Sequence, residues 1–241
     1  MSKWFIRPCK VDIGNMCRKM GINVPLALAL QAKGLNTPKK VKDYFNTENY
    51  SFGDITELVG VKRSFEIIEK AINENKKIFI YGDYDVDGVT STVILYKSLK
   101  ALGANVFYYI PNRVTDGYGL NVNAIERLIG KGMELLITCD NGIAAIEEIK
   151  YAKEKGIDVV IYDHHEPVIK DGKEVLPEAD SVTDAKIENC GYDFTVMCAG
   201  GLCYRVMKAF YEYLGEKYTL EEEHKTLQNA LEKMKSLESY T

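Results

Sequence analysis

Three aspartates stand at alternate positions in the segment IFIYGDYDVDGVTST (78–92), directly after a short apolar run. They are Asp83, Asp85 and Asp87. Carboxylates gathered this closely repel one another by roughly 4 kcal/mol per pair, for a separation of about 4 Å and an effective dielectric constant of about 20. We therefore expect a positive partner, and aspartate oxygens are ligands that suit divalent metal ions.

The same spacing, D-x-D-x-D-G, also begins the calcium-binding loop of an EF-hand. Position 12 of that loop should be a glutamate that binds the ion, whereas this chain has Ile94 there. An EF-hand loop also follows a helix, and the residues IFIY (78–81) are typical of a buried strand instead. The sequence thus favours a different kind of metal site.

Polar residues that can do chemistry follow three further apolar runs of strand length. These are NVFYYI (105–110) with Arg113, ELLITC (134–139) with Asp140, and DVVIY (158–162) with Asp163, His164 and His165. In open parallel sheets ligands bind beyond the carboxyl ends of the strands, so we expect all these residues at one edge. A lone histidine beside an aspartate is usually structural, but two adjacent histidines that face acidic loops favour metal binding.

Aspartate oxygens together with a histidine nitrogen suit Mn²⁺, Mg²⁺ or Zn²⁺. An acid shared between two ions is the arrangement of two-metal hydrolysis. We predict a binuclear site in which the metals generate a hydroxide and hold a phosphoryl oxygen.

The segments between these runs have the helical spacing of apolar residues, so strands and helices alternate from about residue 61. This pattern predicts an α/β fold with an open, mostly parallel twisted sheet and helices on both faces. We expect a small N-terminal helical cap over residues 1–60, the α/β domain over 61–215 and a C-terminal helical tail over 216–241. The tail carries leucines on one helix face and is expected to pack on the core or on a protein partner.

Composition narrows the class of protein. The net charge of −4 argues against electrostatic binding of nucleic acid over the whole surface. The first 45 residues nevertheless carry lysines and arginines, which can form a local basic stripe or a solvated helix face. The sequence has no apolar run that could span a membrane, no secretory signal and no C-x-x-C pair among its six cysteines. We expect a cytoplasmic protein with reduced thiols.

Three motifs carry a resemblance to a known family. GDYDVDG (82–88), ITCDNGI (137–143) and YDHHEP (162–167) resemble, in this order and spacing, the first three motifs of the DHH phosphoesterase superfamily. The segment PNRVTDGYGLN (111–121) and the opening KW are similar to its RecJ-like branch, exonucleases that degrade single-stranded DNA from 5′ to 3′. The resemblance implies a hydrolase dependent on Mn²⁺ or Mg²⁺, with single-stranded DNA as substrate and a role in DNA repair and recombination.

The resemblance also implies which residues hold the metals. The aspartates of the first motif, Asp83, Asp85 and Asp87, would be metal ligands. Asp140 would be the acid that bridges both ions, and His164 would be a ligand to one of them.

Further roles follow from the same resemblance. Asp163 is expected to orient His164, while His165 would contact the scissile phosphate or help to protonate the leaving oxygen. Arg113 has a guanidinium fork suited to phosphate and is the candidate for holding the DNA backbone or its 5′ end, with an ordinary ion pair as the alternative. Tyr118 could stack on a base, or the GYG sequence could simply form a turn.

The likeness weakens after residue 178. Where the family has V-N-P, this chain has Val182, Thr183 and Asp184, and the segment with the fourth-motif metal-binding aspartate is absent. The stretch CAGGLCYRVMKAFYEYLG (198–215) does resemble the family's glycine turn and following helix. The family's second domain is missing too, so we expect either a fragment of a longer nuclease or a short form.

Three functions therefore stay open. The first is metal-dependent hydrolysis of single-stranded DNA. The second is another DHH activity, on short oligonucleotides, cyclic dinucleotides or pyrophosphate. The third is a non-catalytic nucleic-acid-binding module that kept the fold.

Overall fold

The computed structural model describes residues 12–46, 52–114, 116–117 and 119–217. The chain divides after Phe52 into two compact units, Met1–Phe52 and Gly53–Thr241. Within the described ranges, no helix combines the length and the apolar character needed to cross a bilayer. The predicted C-terminal tail lies outside the described residues from position 218 onward.

The described part of the first unit contains three short helices, α1 (Ile13–Met20), α2 (Val24–Ala32) and α3 (Pro38–Phe45). Each begins after a residue whose side-chain oxygen accepts a hydrogen bond from a backbone N–H three positions later, and these caps are Asp12, Asn23 and Thr37. Pro25 and Pro38 stand in the first turns of α2 and α3, where a missing N–H breaks no helical hydrogen bond.

The second unit is built on a five-stranded sheet in which all neighbouring strands are parallel. In spatial order the strands are β2 (Val106–Tyr109), β1 (Ile78–Tyr81), β3 (Leu135–Cys139), β4 (Asp158–Tyr162) and β7 (Ser181–Thr183). The first four agree with the apolar runs of the sequence to within a residue at each end. Their carboxyl ends therefore meet at one edge of the sheet.

Helices cover both faces of this sheet. Those on one face are α4 (Val61–Asn73), α5 (Val86–Ala101) and α8 (Ala199–Lys217), and those on the other are α6 (Val122–Gly130) and α7 (Ile146–Glu154). Alternate strand residues enter the two cores, so that Ile78 and Ile80 face one and Phe79 and Tyr81 face the other. The predicted open parallel sheet with helices on both faces is thus confirmed.

Two features escaped the sequence pattern. A hairpin of β5 (Val168–Lys170) and β6 (Lys173–Val175) turns at Asp171 and Gly172, which both have positive φ, as a two-residue hairpin turn requires. The fifth parallel strand, β7, has only three residues and shows no clear period. It forms because Val160–Tyr162 of β4 offers an open edge with which it pairs.

Candidate metal centre

The first aspartate loop lies between β1 and α5. Asp83 is buried, and its Oδ1 accepts a hydrogen bond of 2.7 Å from the backbone N–H of Tyr84. Asp85 is the N-cap of α5, and its Oδ1 accepts a hydrogen bond of 2.9 Å from the backbone N–H of Gly88. The backbone of the loop therefore orients the carboxylate of Asp83, and the start of α5 orients that of Asp85.

The two glycines of GDYDVDG allow the start of α5 to approach the end of β1. A methyl group on Gly88 would lie 2.6 Å from the Cα of Asp83, and one on Gly82 would collide with the hydroxyl of Thr92. Backbone atoms cannot give way as a flexible side chain can, so a larger residue at Gly88 must displace the loop that carries Asp83.

Asp87 stands in the first turn of α5 and faces the start of α8. Its Oδ2 accepts a hydrogen bond of 2.8 Å from the N–H of Ala199, and its Oδ1 accepts one of 2.7 Å from the N–H of Gly200. A carboxylate is stabilised at a helix N-terminus by the unpaired amides and the helix dipole. Asp87 therefore ties α5 to α8, and it also lies 3.5 Å from Nε2 of His164.

This contact explains why the glycines of segment 198–215 lie inside the first turn of α8, and not in a turn before the helix as the sequence indicated. A methyl group on Gly200 would lie 3.3 Å from Oδ1 of Asp87, which is closer than most real contacts. The glycine is needed for the close approach of the carboxylate to the helix amides.

Asp140 follows β3 and is buried at the centre of the edge. Its φ of 61° lies in the left-handed region, which is uncommon for a residue other than glycine. Such strain often marks a functional position. The backbone N–H of Asp140 donates to the carbonyl of Tyr162, and its Oδ1 lies 3.0 Å from Nε2 of His164.

Asp163 is buried, and its carboxylate holds the loop after β4 through hydrogen bonds. Its Oδ2 accepts a hydrogen bond of 2.9 Å from the N–H of Ile143, and its Oδ1 accepts one of 2.8 Å from the N–H of His164. The same Oδ1 lies 2.8 Å from Nδ1 of His165. The resemblance implied that Asp163 orients His164. The structure differs, because the ring of His164 is turned towards Asp140 and Asp163 holds the ring of His165.

Two groups of potential ligand atoms lie at this edge, and the atoms within each are all less than 4.8 Å apart. One group consists of Asp83, Asp85 and Asp140, and the other of Asp140, His164 and His165. Carboxylate oxygens with imidazole nitrogens suit Mn²⁺ and also allow Mg²⁺, so the donor set fits the ions that the resemblance implies. Asp140 is common to both groups, and Asp87 belongs to neither.

The titratable groups show the electrostatic cost of this arrangement without a cation. Burial raises the pKa of Asp83 and of Asp140 above the ordinary range of a carboxyl group. The pKa of His164 is raised by its hydrogen bond to Asp140, and that of His165 by its hydrogen bond to Asp163. A divalent ion would replace these protons as the positive partner of the carboxylates.

Asp184 is a further acid at this edge that the sequence did not single out as a site residue. It follows β7 and is fully buried. Its Oδ1 accepts a hydrogen bond from the N–H of Lys186, and its Oδ2 has no partner among the described residues. Burial, together with the charge of Asp163, raises the pKa of Asp184 to about 7. The signal in the sequence was an aspartate after a strand, but the strand itself was too short to recognise.

The segment after β2 carries the predicted nucleic-acid contacts. Arg113 is exposed, and its guanidinium carbon lies 5.4 Å from the ring centroid of Tyr84, the neighbour of Asp83. None of the described carboxylates forms an ion pair with Arg113. Tyr118 lies outside the described residues.

A carboxylate fixes this segment to the sheet. Asp116 accepts hydrogen bonds from the N–H of Asn112, the hydroxyl of Tyr109 and Nη2 of Arg127, at 2.9, 2.7 and 2.9 Å. Together these hydrogen bonds lower the pKa of Asp116 to about 2, and the bond from Asn112 contributes most.

Comparison with known proteins identifies the family. The family model described as DHH family, N-terminal domain, matches residues 77–232. The single-stranded-DNA-specific exonuclease RecJ of Bacillus subtilis (strain 168) is 38% identical over 215 residues, which cover 89% of this chain and 26% of that protein. RecJ of Escherichia coli (strain K12) is 30% identical over 177 residues, which cover 73% of this chain and 30% of that protein.

Solved structures show the same fold. A crystal structure of exonuclease RecJ bound to manganese has a TM-score of 0.56 and 30% identity, with 66% of this chain and 39% of that chain covered. RecJ from Thermus thermophilus in complex with Mn²⁺ has a TM-score of 0.56 and 24% identity, with 84% of this chain and 27% of that chain covered. This chain thus spans between a quarter and a third of the length of the two curated relatives. With its three motifs at one edge of a parallel sheet and a match over residues 77–232, the chain belongs to the DHH family.

Proposed function

We propose that this chain acts as a RecJ-like exonuclease that hydrolyses single-stranded DNA from 5′ to 3′ with Mn²⁺ or Mg²⁺. The observation that carries the proposal is the pair of donor groups that share Asp140. An acid common to two groups suits two ions held close together, the arrangement used to cleave phosphodiesters. Relatives named as single-stranded-DNA-specific exonucleases, and a relative structure bound to manganese, support the choice of substrate and metal.

In this proposal Asp83, Asp85, Asp140 and His164 hold the ions, with Asp87 at the margin of the site. The bound ions would supply an activated water and neutralise charge on the phosphate. The structure supports a lesser role for Asp87, because both of its oxygens already accept hydrogen bonds from α8.

The proposed role of His165 is to contact the scissile phosphate or to help protonate the leaving oxygen. Its Nδ1 is held by Asp163, which leaves Nε2 for the substrate. The raised pKa of His165 keeps more of the ring protonated near neutral pH, as an acid requires. Since His165 also belongs to one of the two donor groups, metal binding is the alternative role of this ring.

Arg113 is proposed to hold a phosphate of the strand. Its exposed guanidinium has no ion-pair partner among the described residues and lies beside the aspartate loop through Tyr84. A planar fork of donors suits phosphate oxygens. Tyr118, in the same segment, is proposed to stack on a base. We place the protein in the cytoplasm, since the relatives are named as enzymes that act on single-stranded DNA.

The test is release of mononucleotides from single-stranded DNA labelled at the 5′ end or at the 3′ end, with Mn²⁺ present. We expect early release of the 5′ label by the wild type and a loss of at least about 100-fold in Asp140→Ala. Asp43→Ala is the matched control, because Asp43 is an exposed aspartate in the first unit.

Early release of the 3′ label would contradict the proposed polarity. If the wild type binds Mn²⁺ but releases no label, the exonuclease proposal is wrong. Parallel assays with a dinucleotide, a cyclic dinucleotide and pyrophosphate then separate another DHH activity from a binding module without turnover.

A further inference from the structure

The charges of the chain are divided unevenly between its two units. Of the 31 lysines and arginines nine lie in Met1–Phe52, and of the 35 acidic residues only three lie there. The first unit therefore has a net charge of +6, and the remaining 22 basic and 32 acidic residues give Gly53–Thr241 a net charge of −10. Such a difference between two parts of one chain suggests that the basic part has an anionic partner.

The basic side chains of the first unit are exposed and unpaired within the described ranges. Residues 12–46 contain six of them, namely Arg18, Lys19, Lys33, Lys39, Lys40 and Lys42. All the ion pairs found among the described residues lie in the second unit, so none of these six has a carboxylate partner there. Their charges are therefore available to a polyanion.

Helix α3 carries three of these lysines in eight residues, and Val41 is its only buried residue. Lys39 and Lys40 stand in the first turn, which contains no acidic residue. The helix dipole disfavours positive charge at this end of a helix. Helix stability therefore does not explain these two lysines, which favours an anion-binding role over a merely solvated helix face.

Two aromatic side chains accompany the lysines on α3. Tyr44 is 49% exposed and Phe45 is 57% exposed, and their ring centroids lie 5.3 Å apart in an edge-to-face arrangement. Tyr44 follows Lys40 by four positions and Phe45 follows Lys42 by three, so each ring neighbours a lysine on the helix surface. Basic groups beside exposed aromatic rings are typical of proteins that bind single-stranded nucleic acid, whose bases are free to stack.

We propose that α3, together with the basic end of α1, forms a second contact surface for single-stranded DNA, separate from the metal centre. The lysines contact phosphates, while Tyr44 and Phe45 stack on bases. The choice of DNA among polyanions rests on the proposed function. A strand bound at this surface stays attached to the protein while its end is shortened.

The test measures binding of a fluorescent oligo(dT) by anisotropy over a series of salt concentrations, with a chelator present so that no strand is cleaved. Each phosphate contact to a single strand contributes about 0.7 to the slope of log affinity against log salt concentration. One protein with Lys39→Gln, Lys40→Gln and Lys42→Gln should therefore have a slope smaller by about 2, and at about 0.1 M salt it should bind at least about tenfold more weakly. A slope equal to that of the wild type would overturn the proposal.

The matched control removes the same charge from the second unit. Lys97→Gln, Lys100→Gln and Lys150→Gln, combined in one protein, change three exposed lysines of α5 and α7. This protein should keep the slope of the wild type. An equal loss of slope in the control would show an effect of net charge alone and would also overturn the proposal.

Two further variants separate charge, stacking and folding. Arginine at the three lysine positions of α3 keeps the charge and should preserve the slope, whereas a loss of slope here would contradict a charge contact. Tyr44→Ala with Phe45→Ala should weaken binding at least about fivefold and leave the slope unchanged, since stacked bases contribute at least this much. Unchanged affinity in that protein would overturn the assignment to single strands.

The DNA hydrolysis assay, run on the same proteins, separates the two proposals. Binding that depends on the lysines of α3, without release of nucleotides, supports this surface and overturns the exonuclease. Release of nucleotides, with equal binding by the wild type and the glutamine variant of α3, overturns this surface and leaves the exonuclease.

Discussion

Replacing Asp184 with asparagine should change how the stability of the protein depends on pH. Asp184 is fully buried at the carboxyl end of β7, with one oxygen unpaired among the described residues. Burial raises its pKa from the ordinary 3.8 to about 7. The folded protein therefore binds this proton more tightly than the unfolded chain does.

The sign and the size follow from this difference. Well below pH 3.8 the carboxyl group is protonated in both states and costs little. As the pH rises from about 4 to about 7 the unfolded chain releases the proton first, so the free energy of unfolding falls. A tenfold change in an ionisation constant corresponds to about 1.4 kcal/mol, and the change from 3.8 to about 7 thus corresponds to about 4 kcal/mol.

Urea unfolding of wild type and Asp184→Asn at pH 4.5 and pH 8, with a chelator present, measures the effect. Asparagine does not ionise, and any cost of its buried amide is the same at both pH values. We expect the variant to gain about 3 to 4 kcal/mol relative to the wild type between pH 4.5 and pH 8. A difference between the two proteins that is equal at both pH values would refute the assignment of the raised pKa to Asp184.

Three further outcomes are expected. Gly88→Ala places a methyl group 2.6 Å from the Cα of Asp83. It should weaken Mn²⁺ binding at least about tenfold, as measured by calorimetry. Unchanged affinity for Mn²⁺ would show that the loop tolerates the shift. Asp163→Asn should lower DNA hydrolysis about 10- to 100-fold, because the carboxylate that holds Nδ1 of His165 is lost, and a rate within twofold of the wild type would contradict this role. Asp116 has a lowered pKa, so the stabilisation that its carboxylate contributes is present above the ordinary value of 3.8 and is lost as the pH falls from there to about 2. Asp116→Asn should remove this part of the acid sensitivity in thermal unfolding, and an unchanged slope would argue against it.

Much of the fold could be predicted because its signals are local. The strands of β1 to β4 are short apolar runs, and the helices between them repeat apolar residues every three to four positions. The rule that ligands lie beyond the carboxyl ends of parallel strands then predicts that Asp83, Asp140 and His164 lie together. In the structure Asp140 shares one group of potential ligand atoms with Asp83 and the other group with His164.

Other features depend on partners that are distant in the chain. The role of Asp87 is set by α8, which begins 112 positions later. The ring of His164 bonds to Asp140, and Asp163 therefore holds the ring of His165. Strand β7 is too short to show a period and exists because β4 leaves an edge for it to pair with.

The sequence by itself determined the alternation of strands and helices, the edge at which the acids and histidines gather, and the class of chemistry that they can perform. These properties follow from the period of apolar residues and from the repulsion of neighbouring carboxylates, which depend on residue type and spacing alone. Only the tertiary structure decided which carboxylate pairs with which ring or helix, and that Asp184 is buried beside them. Those contacts join segments remote in sequence, and their distances arise only when the sheet brings the strand ends together.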